Sequence, residues 1–249
     1  MLKIGILGAY GRVGSLIRES LQDTYKDKAV FSKALVEGKL LSSFDTTDYK
    51  DFLDSIDVAI DFSSPISSKL LVEHALITPK PLVIGTTGLD SETLDFMSTA
   101  STKMPILYST NMSKGVLVLN ELISEVAKKL PNFDIEILEM HHRHKKDAPS
   151  GTALSLADSV LEARGLDKSN LVKSRDGIAL RKENDIGIQS LRGGDLYGKH
   201  TVGFYGDGEF LELTHYATSR FAFANGALDC ALWIADKKPG LYSIKDIFR

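Results

Sequence analysis

Leu2 to Leu7 form a short apolar run with isoleucines at alternate positions. Glycines follow at 8, 11 and 14, and Val13, Leu16, Ile17 and Leu21 recur at helical spacing. A strand apolar throughout needs cover on both faces, and glycines directly after it let the chain turn tightly into a helix. The unit then repeats with variations. Ala29 to Val36, Val58 to Phe62, Pro81 to Gly85 and Ile106 to Tyr108 read as further strands, with helical stretches around 66–77 and 90–101. Strands alternating with helices build a parallel sheet covered on both sides, so the fold class is α/β and this part of the chain is Rossmann-like.

The rhythm changes after Asn111-Met112-Ser113-Lys114-Gly115. A long amphipathic helix is expected over about 115–130, a strand over Asp134 to Met140, a helix from Ser150 to about Arg164, and strands near 186–191, 199–205 and 209–216. Strands with few helices between them make a mixed or antiparallel sheet, hence an α+β domain. Phe221 to Ala235 is apolar at helical spacing, closes at Pro239-Gly240, and is expected to return to the first domain. The expected organisation is one domain of residues 1–111 plus 222–249 and another of residues 112–221, sharing a cleft.

The chain has 249 residues, 43% of them hydrophobic, enough for one large or two modest cores. Its net charge of −3 supplies no general field for gripping nucleic acid. The N-terminus lacks the apolar core of a signal peptide, and no segment approaches the ~20 apolar residues that span a bilayer. A single cysteine, Cys230, excludes an internal disulfide and a cysteine-rich metal site. These features together indicate a cytoplasmic protein with no membrane or nucleic-acid partner.

Between a strand and a helix, the turn Gly8-Ala9-Tyr10-Gly11-Arg12-Val13-Gly14 lets a pyrophosphate approach backbone amides at the helix start. Its spacing departs slightly from G-x-G-x-x-G. Glu37, 23 positions after Gly14 and at the end of the second strand, is placed to accept hydrogen bonds from an adenosine ribose. The cofactor is thus a nicotinamide dinucleotide. NADH is preferred, because Glu37 repels a 2′-phosphate, and NADPH stays open because Arg12 and Lys39 can compensate. Gly85-Thr86-Thr87 and Ser109-Thr110-Asn111-Met112 follow later strands at the sheet's carboxyl edge and are expected to line the nicotinamide half.

Residues 141–153 read HHRHKKDAPSGTA, placing three of the chain's six histidines, three cations and a helix-starting Ser-Gly-Thr together. Ser150 is a good N-cap, and the amides of Ser150, Gly151 and Thr152 are expected to face outward as a carboxylate cradle. Lys145 and the histidines surround such a ligand with proton donors. A metal site at His141, His142 and His144 is disfavoured by the neighbouring Arg143, Lys145 and Lys146, and a solvated charged loop is the plainer alternative. Asp147 is read as a brace, Arg192-Gly193-Gly194-Asp195 as a turn, His74 as structural and Cys230 as packing.

Together, GAYGRVG, Glu37, GTTG at 85–88, STNMSKGV at 109–116 and EMHHRHKKDAPSGTA at 139–153 resemble the 4-hydroxy-tetrahydrodipicolinate (dihydrodipicolinate) reductase family, with further matches at 190–206, 211–228 and 239–248. The resemblance implies NAD(P)H-dependent reduction of a small cyclic dicarboxylate in lysine and diaminopimelate biosynthesis, by a homotetramer whose second domain binds substrate and oligomerises. It implies His141 and Lys145 as catalytic, and His142, Gly151 and Thr152 as substrate contacts, beside Ser150. The cofactor contacts it implies are Gly8 through Val13, Glu37, Gly85 to Thr87 and Ser109 to Met112. Gly38 stands where some members carry an arginine after the ribose-binding acid, which weakens the case for NADPH. Alternatives are another two-domain dehydrogenase of amino-acid metabolism, and a non-enzymatic dinucleotide sensor that needs no Lys145. A semialdehyde dehydrogenase with a phosphate acceptor needs an active-site cysteine, and Cys230 is misplaced for one.

Overall fold

The computed structural model describes residues 1–248. They form two compact units, one of residues 1–113 with the segment from Arg220 onward, the other Lys114–Ser219. The chain begins with β1 (Leu2–Leu7), α1 (Gly14–Gln22), β2 (Ala29–Leu35), β3 (Asp45–Thr46), α2 (Tyr49–Asp54) and β4 (Val58–Asp61). It continues through α3 (Pro65–Ala75), β5 (Leu82–Ile84), α4 (Ser91–Ala100) and β6 (Pro105–Tyr108). The second unit holds α5 (Lys114–Lys129), β7 (Asp134–His141), α6 (Gly151–Arg164), β8 (Leu171–Val172), β9 (Ile186–Arg192), β10 (Gly198–Gly206) and β11 (Glu209–Ala217). The chain then returns to the first unit with α7 (Phe221–Ile234) and β12 (Gly240–Tyr242).

The first sheet runs β12-β6-β5-β4-β1-β2-β3, and its seven strands are all parallel. Its central strands are buried on both faces, with Ile4, Ile6, Val58 and Ile60 wholly enclosed, which explains their continuous apolar runs. From β1 the chain moves outward to β2 and β3, then crosses back to β4 on β1's other side. The carboxyl ends of β1 and β4 therefore part into a crevice, where open sheets of this kind receive ligands. The helix beginning after β4 is fixed by Ser64, whose hydroxyl accepts from the Ser67 N–H, with Pro65 in its first turn.

The returning α7 is rich in small residues and packs closely in its own unit. A Cβ on Gly226 would fall 1.7 Å from the Met112 carbonyl oxygen, so only glycine fits there. Polar groups tie α7 to the α1 region: Ser20 Oγ donates to Asn225 Oδ1 at 2.7 Å and Tyr25 Oη to Asp229 Oδ1 at 2.8 Å. Cys230 is buried with its thiol 3.8 Å from Met112 Sδ, a packing role. His74 stacks on Tyr49 with ring centroids 4.4 Å apart.

The second sheet runs β11-β10-β7-β9-β8, with β10 antiparallel to β11 and β7, and β7, β9 and β8 mutually parallel. It is the mixed sheet that the strand-rich pattern implies. Register stacks its inner face in rungs: Ile135, Ile186 and Phe204, then Ile137, Ile188 and Val202, all buried. Leu119 and Ile123 of α5 and Ala153, Leu156 and Val160 of α6 close over these rungs. At the far end of α6, Arg164 donates to the carbonyls of Leu130, Pro131 and Phe133, which follow the last turn of α5. On the sheet's other face Leu138, Leu191, Phe210 and Tyr216 are exposed.

Among the strands and α-helices, four elements were not legible in the sequence: β3, α2, β8 and β12. Their strands are two or three residues long and are defined by pairing, as at Ala34 with Asp45 and Gly240 with Pro105. Pro239-Gly240, read as the close of a helix, leads directly into β12.

Candidate active site

The crevice beyond β1 is a cavity of about 640 Å³ whose lining includes Gly8, Tyr10, Gly11, Glu37, Lys39 and Ser67. The three glycines of the turn differ in purpose. Gly8 has φ +74°, and a Cβ there would come 2.3 Å from the Phe62 carbonyl oxygen. On Gly14 a Cβ would lie 2.1 Å from the Gly8 oxygen, so both positions are required by the protein itself. At Gly11, beyond its chain neighbours, a Cβ would approach only the Gly8 oxygen among the described residues, at 3.1 Å, so the missing side chain mainly opens the turn outward. A backbone cradle at the start of α1, opening on a cavity of this size, fits a dinucleotide pyrophosphate.

Glu37 stands at the mouth of this cavity with Oε1 accepting from Ser67 Oγ at 2.5 Å. That bond orients the carboxylate. Tyr10 reaches from the glycine turn to Asp45, its hydroxyl donating at 2.7 Å, while the amides of Leu41 and Ser42 donate to the same carboxylate. Burial works to raise the Asp45 pKa, but the bonds from Tyr10 and the two amides outweigh it and hold the carboxyl below its ordinary range. The loop after β2 is thereby strapped to the glycine turn. Arg12 is exposed in the turn and Val13 leads into α1.

The expected nicotinamide-side residues divide. Thr87 and Thr110 are exposed, whereas Thr86 is buried and its hydroxyl accepts from the Ser63 amide at 3.0 Å. Gly85 is a packing requirement, since a Cβ would lie 2.5 Å from the Phe62 ring. Ser109 Oγ donates to the Asn111 carbonyl at 2.7 Å, and Asn111 Oδ1 accepts from the Ser113 amide at 2.8 Å, giving a self-braced turn. Met112 is 1% exposed and turned to Cys230, so its side chain serves the core. Asp61 was not singled out in the sequence. It is buried at the end of β4, accepts from both the amide and hydroxyl of Ser63 and from Ser68, and joins the β4 and β5 turns. Burial pushes its pKa up against those bonds.

In the second unit the inner-face rungs turn polar at one end. Glu139 and His141 follow Ile135 and Ile137 on β7 at the two-residue spacing of one strand face; His200 pairs opposite Glu139, and Arg192 beside His141. Glu139 has no exposed surface, and donors meet both of its oxygens. His141 Nδ1 lies 2.6 Å from Oε2, Arg192 grips both oxygens at 2.7 and 2.8 Å, and the Ser150 amide donates to Oε1 at 3.1 Å. Burial would raise the Glu139 pKa, yet His141 and Arg192 together hold it well below the usual carboxylate range. His200 is driven the other way, down to about 3, by burial first and then by its neighbour His141. Its Nε2 lies 3.0 Å from Ser150 Oγ, and its ring meets that of His141 edge-on at 5.1 Å.

Ser150 is the N-cap of α6 as its sequence context indicates, accepting from the Ala153 amide at 3.2 Å. The expectation that its own amide faces outward is corrected: that N–H is spent on Glu139, and the residue is buried. Gly151 is exposed, with nothing within 4 Å of a would-be Cβ, so the start of α6 is open there. Thr152 is half-buried in the same turn. Asp147 lies 2.9 Å from the Lys145 Nζ and supplies an opposite charge beside it. The 192–195 turn buttresses the run, since Gly193 donates to the His141 carbonyl at 3.0 Å and Arg143 to that of Gly194 at 3.2 Å. His142 is half-buried, and Arg143, His144 and Lys146 are exposed. Among the described residues, no group of three or more His, Cys, Asp or Glu is arranged to hold a metal ion. No helix among them is long and apolar enough to cross a membrane.

Two family models cover nearly all of the chain: dihydrodipicolinate reductase, N-terminus, matches residues 2–112, and dihydrodipicolinate reductase, C-terminus, matches residues 115–248. The chain belongs to the dihydrodipicolinate reductase family. A relative from Helicobacter hepaticus, named 4-hydroxy-tetrahydrodipicolinate reductase, is 56% identical across 99% of this chain and 98% of its own. One of the same name from Sulfurimonas denitrificans is 51% identical over the same shares. A solved dipicolinate-bound dihydrodipicolinate reductase from Paenisporosarcina sp. TG-14 has the same fold, with a TM-score of 0.76 at 23% identity, over 98% of this chain and 97% of that one. Membership in this reductase family makes the chain an oxidoreductase using NAD(P)H, and sets aside the non-enzymatic reading.

Proposed function

We propose that the chain reduces 4-hydroxy-tetrahydrodipicolinate to tetrahydrodipicolinate with NADH, and less readily with NADPH, in lysine and diaminopimelate biosynthesis. The observation that carries the reading is the polar end of the second sheet, where a histidine with a buried carboxylate partner, a lysine and an open helix start lie within residues 139–153 of a chain from this family. Residues 1–111 and 222–249 bind the dinucleotide, and residues 112–221 bind substrate and oligomerise. The cofactor contacts are Gly8 through Val13, Glu37, Gly85 to Thr87 and Ser109 to Met112, those of Thr86 and Met112 being through backbone.

When bound, the nicotinamide supplies the hydride. The chain supplies the rest. Gly151 and Thr152 receive a substrate carboxylate at the positive end of α6, with His142 beside them. Lys145 delivers the proton that balances the hydride, the ring's 4-hydroxyl leaves as one water, and His141 passes or receives a proton in turn. Ser150 acts indirectly, by fixing the start of α6. Glu37, with Ser67 holding one oxygen, favours a free ribose 2′-hydroxyl and repels a 2′-phosphate, while Lys39 in the same cavity limits that discrimination. The exposed apolar side chains of the second sheet, such as Phe210 and Tyr216, support a homotetramer, since they are otherwise left in water. The single cysteine suits a reducing cytoplasm.

The test is the loss of nicotinamide absorbance on adding freshly generated cyclic dicarboxylate, run with NADH and NADPH in parallel. Turnover with both, faster with NADH, is the expected result. A folded protein that oxidises neither sinks the assignment.

A further inference from the structure

We infer that Glu139 is the positioning residue for proton handling: it fixes His141 in the tautomer that carries hydrogen on Nδ1 and leaves the Nε2 lone pair bare, and through Ser150 it ties that ring to the first turn of α6. The inference rests on the reading that His141 handles a proton in the reduction.

An ionised carboxylate only accepts, and offers about four lone-pair positions. At Glu139 Oε1 takes Arg192 Nη2 and the Ser150 amide, while Oε2 takes Arg192 Nη1 and His141 Nδ1. Arg192 supplies a full opposite charge in forked geometry, so no proton is needed on the acid despite its complete burial. Nδ1 must then be the donor, and neutral His141 is left with an accepting Nε2. That atom faces Gly198, where a Cβ would come within 3.0 Å of it, so the glycine keeps its surroundings uncrowded. The adjacent His200 is neutral and engaged with Ser150, and adds no charge to the balance.

The consequence is directional. When His141 is neutral its outward nitrogen can receive a proton but not give one, and it becomes a donor only after protonation. Lys145 is therefore the group that must start with the proton.

The decisive variant is Glu139→Gln. Arg192 Nη2 and the Ser150 amide claim the glutamine oxygen in the place of Oε1, so its NH₂ takes the place of Oε2, gives up the bond from Arg192 Nη1, faces Nδ1 and forces the imidazole proton onto Nε2. In ¹⁵N spectra at pH ~8.5, where imidazoles are neutral, His141 is assigned by the loss of its signals in His141→Asn. We expect the Nδ1–H form in the wild type and the Nε2–H form in Glu139→Gln. We also expect kcat to fall on the order of 10²- to 10⁴-fold, with NADH affinity unchanged and partial recovery in Glu139→Asp, which keeps the charge. An Nε2–H tautomer in the wild type overturns the inference even if no variant folds. So does a folded Glu139→Gln enzyme with turnover near the wild-type value. Absence of wild-type turnover counts against the proposed reaction instead, and is distinguished by the tautomer measurement, which needs no substrate.

Discussion

At the glycine turn the cradle is made of backbone, and its side chains matter by being absent: Gly8 and Gly14 leave room for the Phe62 and Gly8 carbonyls, and Gly11 leaves room for something outside the protein. At the end of the second sheet, the site is made of side chains, with a buried acid holding an imidazole, a guanidinium and a helix start in one hydrogen-bonded group. Tight backbone turns fail by steric clash, whereas buried charge groups fail by losing a partner. The first kind of failure is mainly a matter of folding and binding, the second of chemistry and pH.

Replacing Lys145 by alanine should test that division most severely. Turnover is expected to drop on the order of 10²- to 10⁴-fold, while the NADH dissociation constant, read by fluorescence titration, stays near the wild-type value. A joint collapse would mean that the two sites are not separable. Within the glycine turn the contrast can be drawn between neighbours. Gly14→Ala places a methyl carbon against backbone that cannot retreat, and should cost about 2–4 kcal/mol in urea unfolding. Gly11→Ala should cost under ~1 kcal/mol yet weaken NADH binding by roughly tenfold or more, because its methyl group enters the space left for the pyrophosphate. Equal stability losses in the two variants would erase the distinction.

The histidine end should also show itself in acid. His200 has a folded pKa lowered to about 3 from an ordinary 6.5. Between those values the unfolded chain binds the extra proton, so the stabilising effect is present above about pH 6.5 and is lost as pH falls toward 3. The expected slope from this group is at most ~1.4 kcal/mol per pH unit. Glu139, also lowered, adds a loss of the same sign below the ordinary carboxylate range. A His200→Gln variant should have a flatter profile of unfolding free energy between pH 4 and 6.5, and an unchanged slope would remove His200 as its source. The smallest effect is expected from Tyr10→Phe, which cuts the strap to Asp45. A loss of about 1–2 kcal/mol in stability and a few-fold weaker NADH binding would place the strap's value in holding the adenosine wall.

The same contrast explains what could be read from the chain. The central strands of the first sheet were legible because their cues are local: apolar runs and the glycines after β1 lie within a few residues of the structure they cause. For the second site, HHRHKKDAPSGTA is equally local, and even the pairing of Glu139 with His141 is implied by two-residue alternation along β7. Arg192 and His200 are different. They join the site only because β9 and β10 flank β7 in one particular register, and no local pattern specifies that. The inward turn of the Ser150 amide was missed for the same reason, since its acceptor lies across the sheet-to-helix packing. Asp45 escaped notice because β3 exists only by pairing with β2.

Helix α6 is anchored at both ends, by Glu139 at its first residues and by Arg164 on the carbonyls at 130, 131 and 133. Helix ends ordinarily fray, and their amides exchange with solvent long before those of the middle. A strut pinned at each tip lacks that freedom, so the bonded amides at its start, those of Ser150 and Ala153, should exchange only in larger openings that also release the strands beneath. Whatever anion settles there would meet dipoles already aligned, and its arrival would leave little trace in the protection of the rest of the helix.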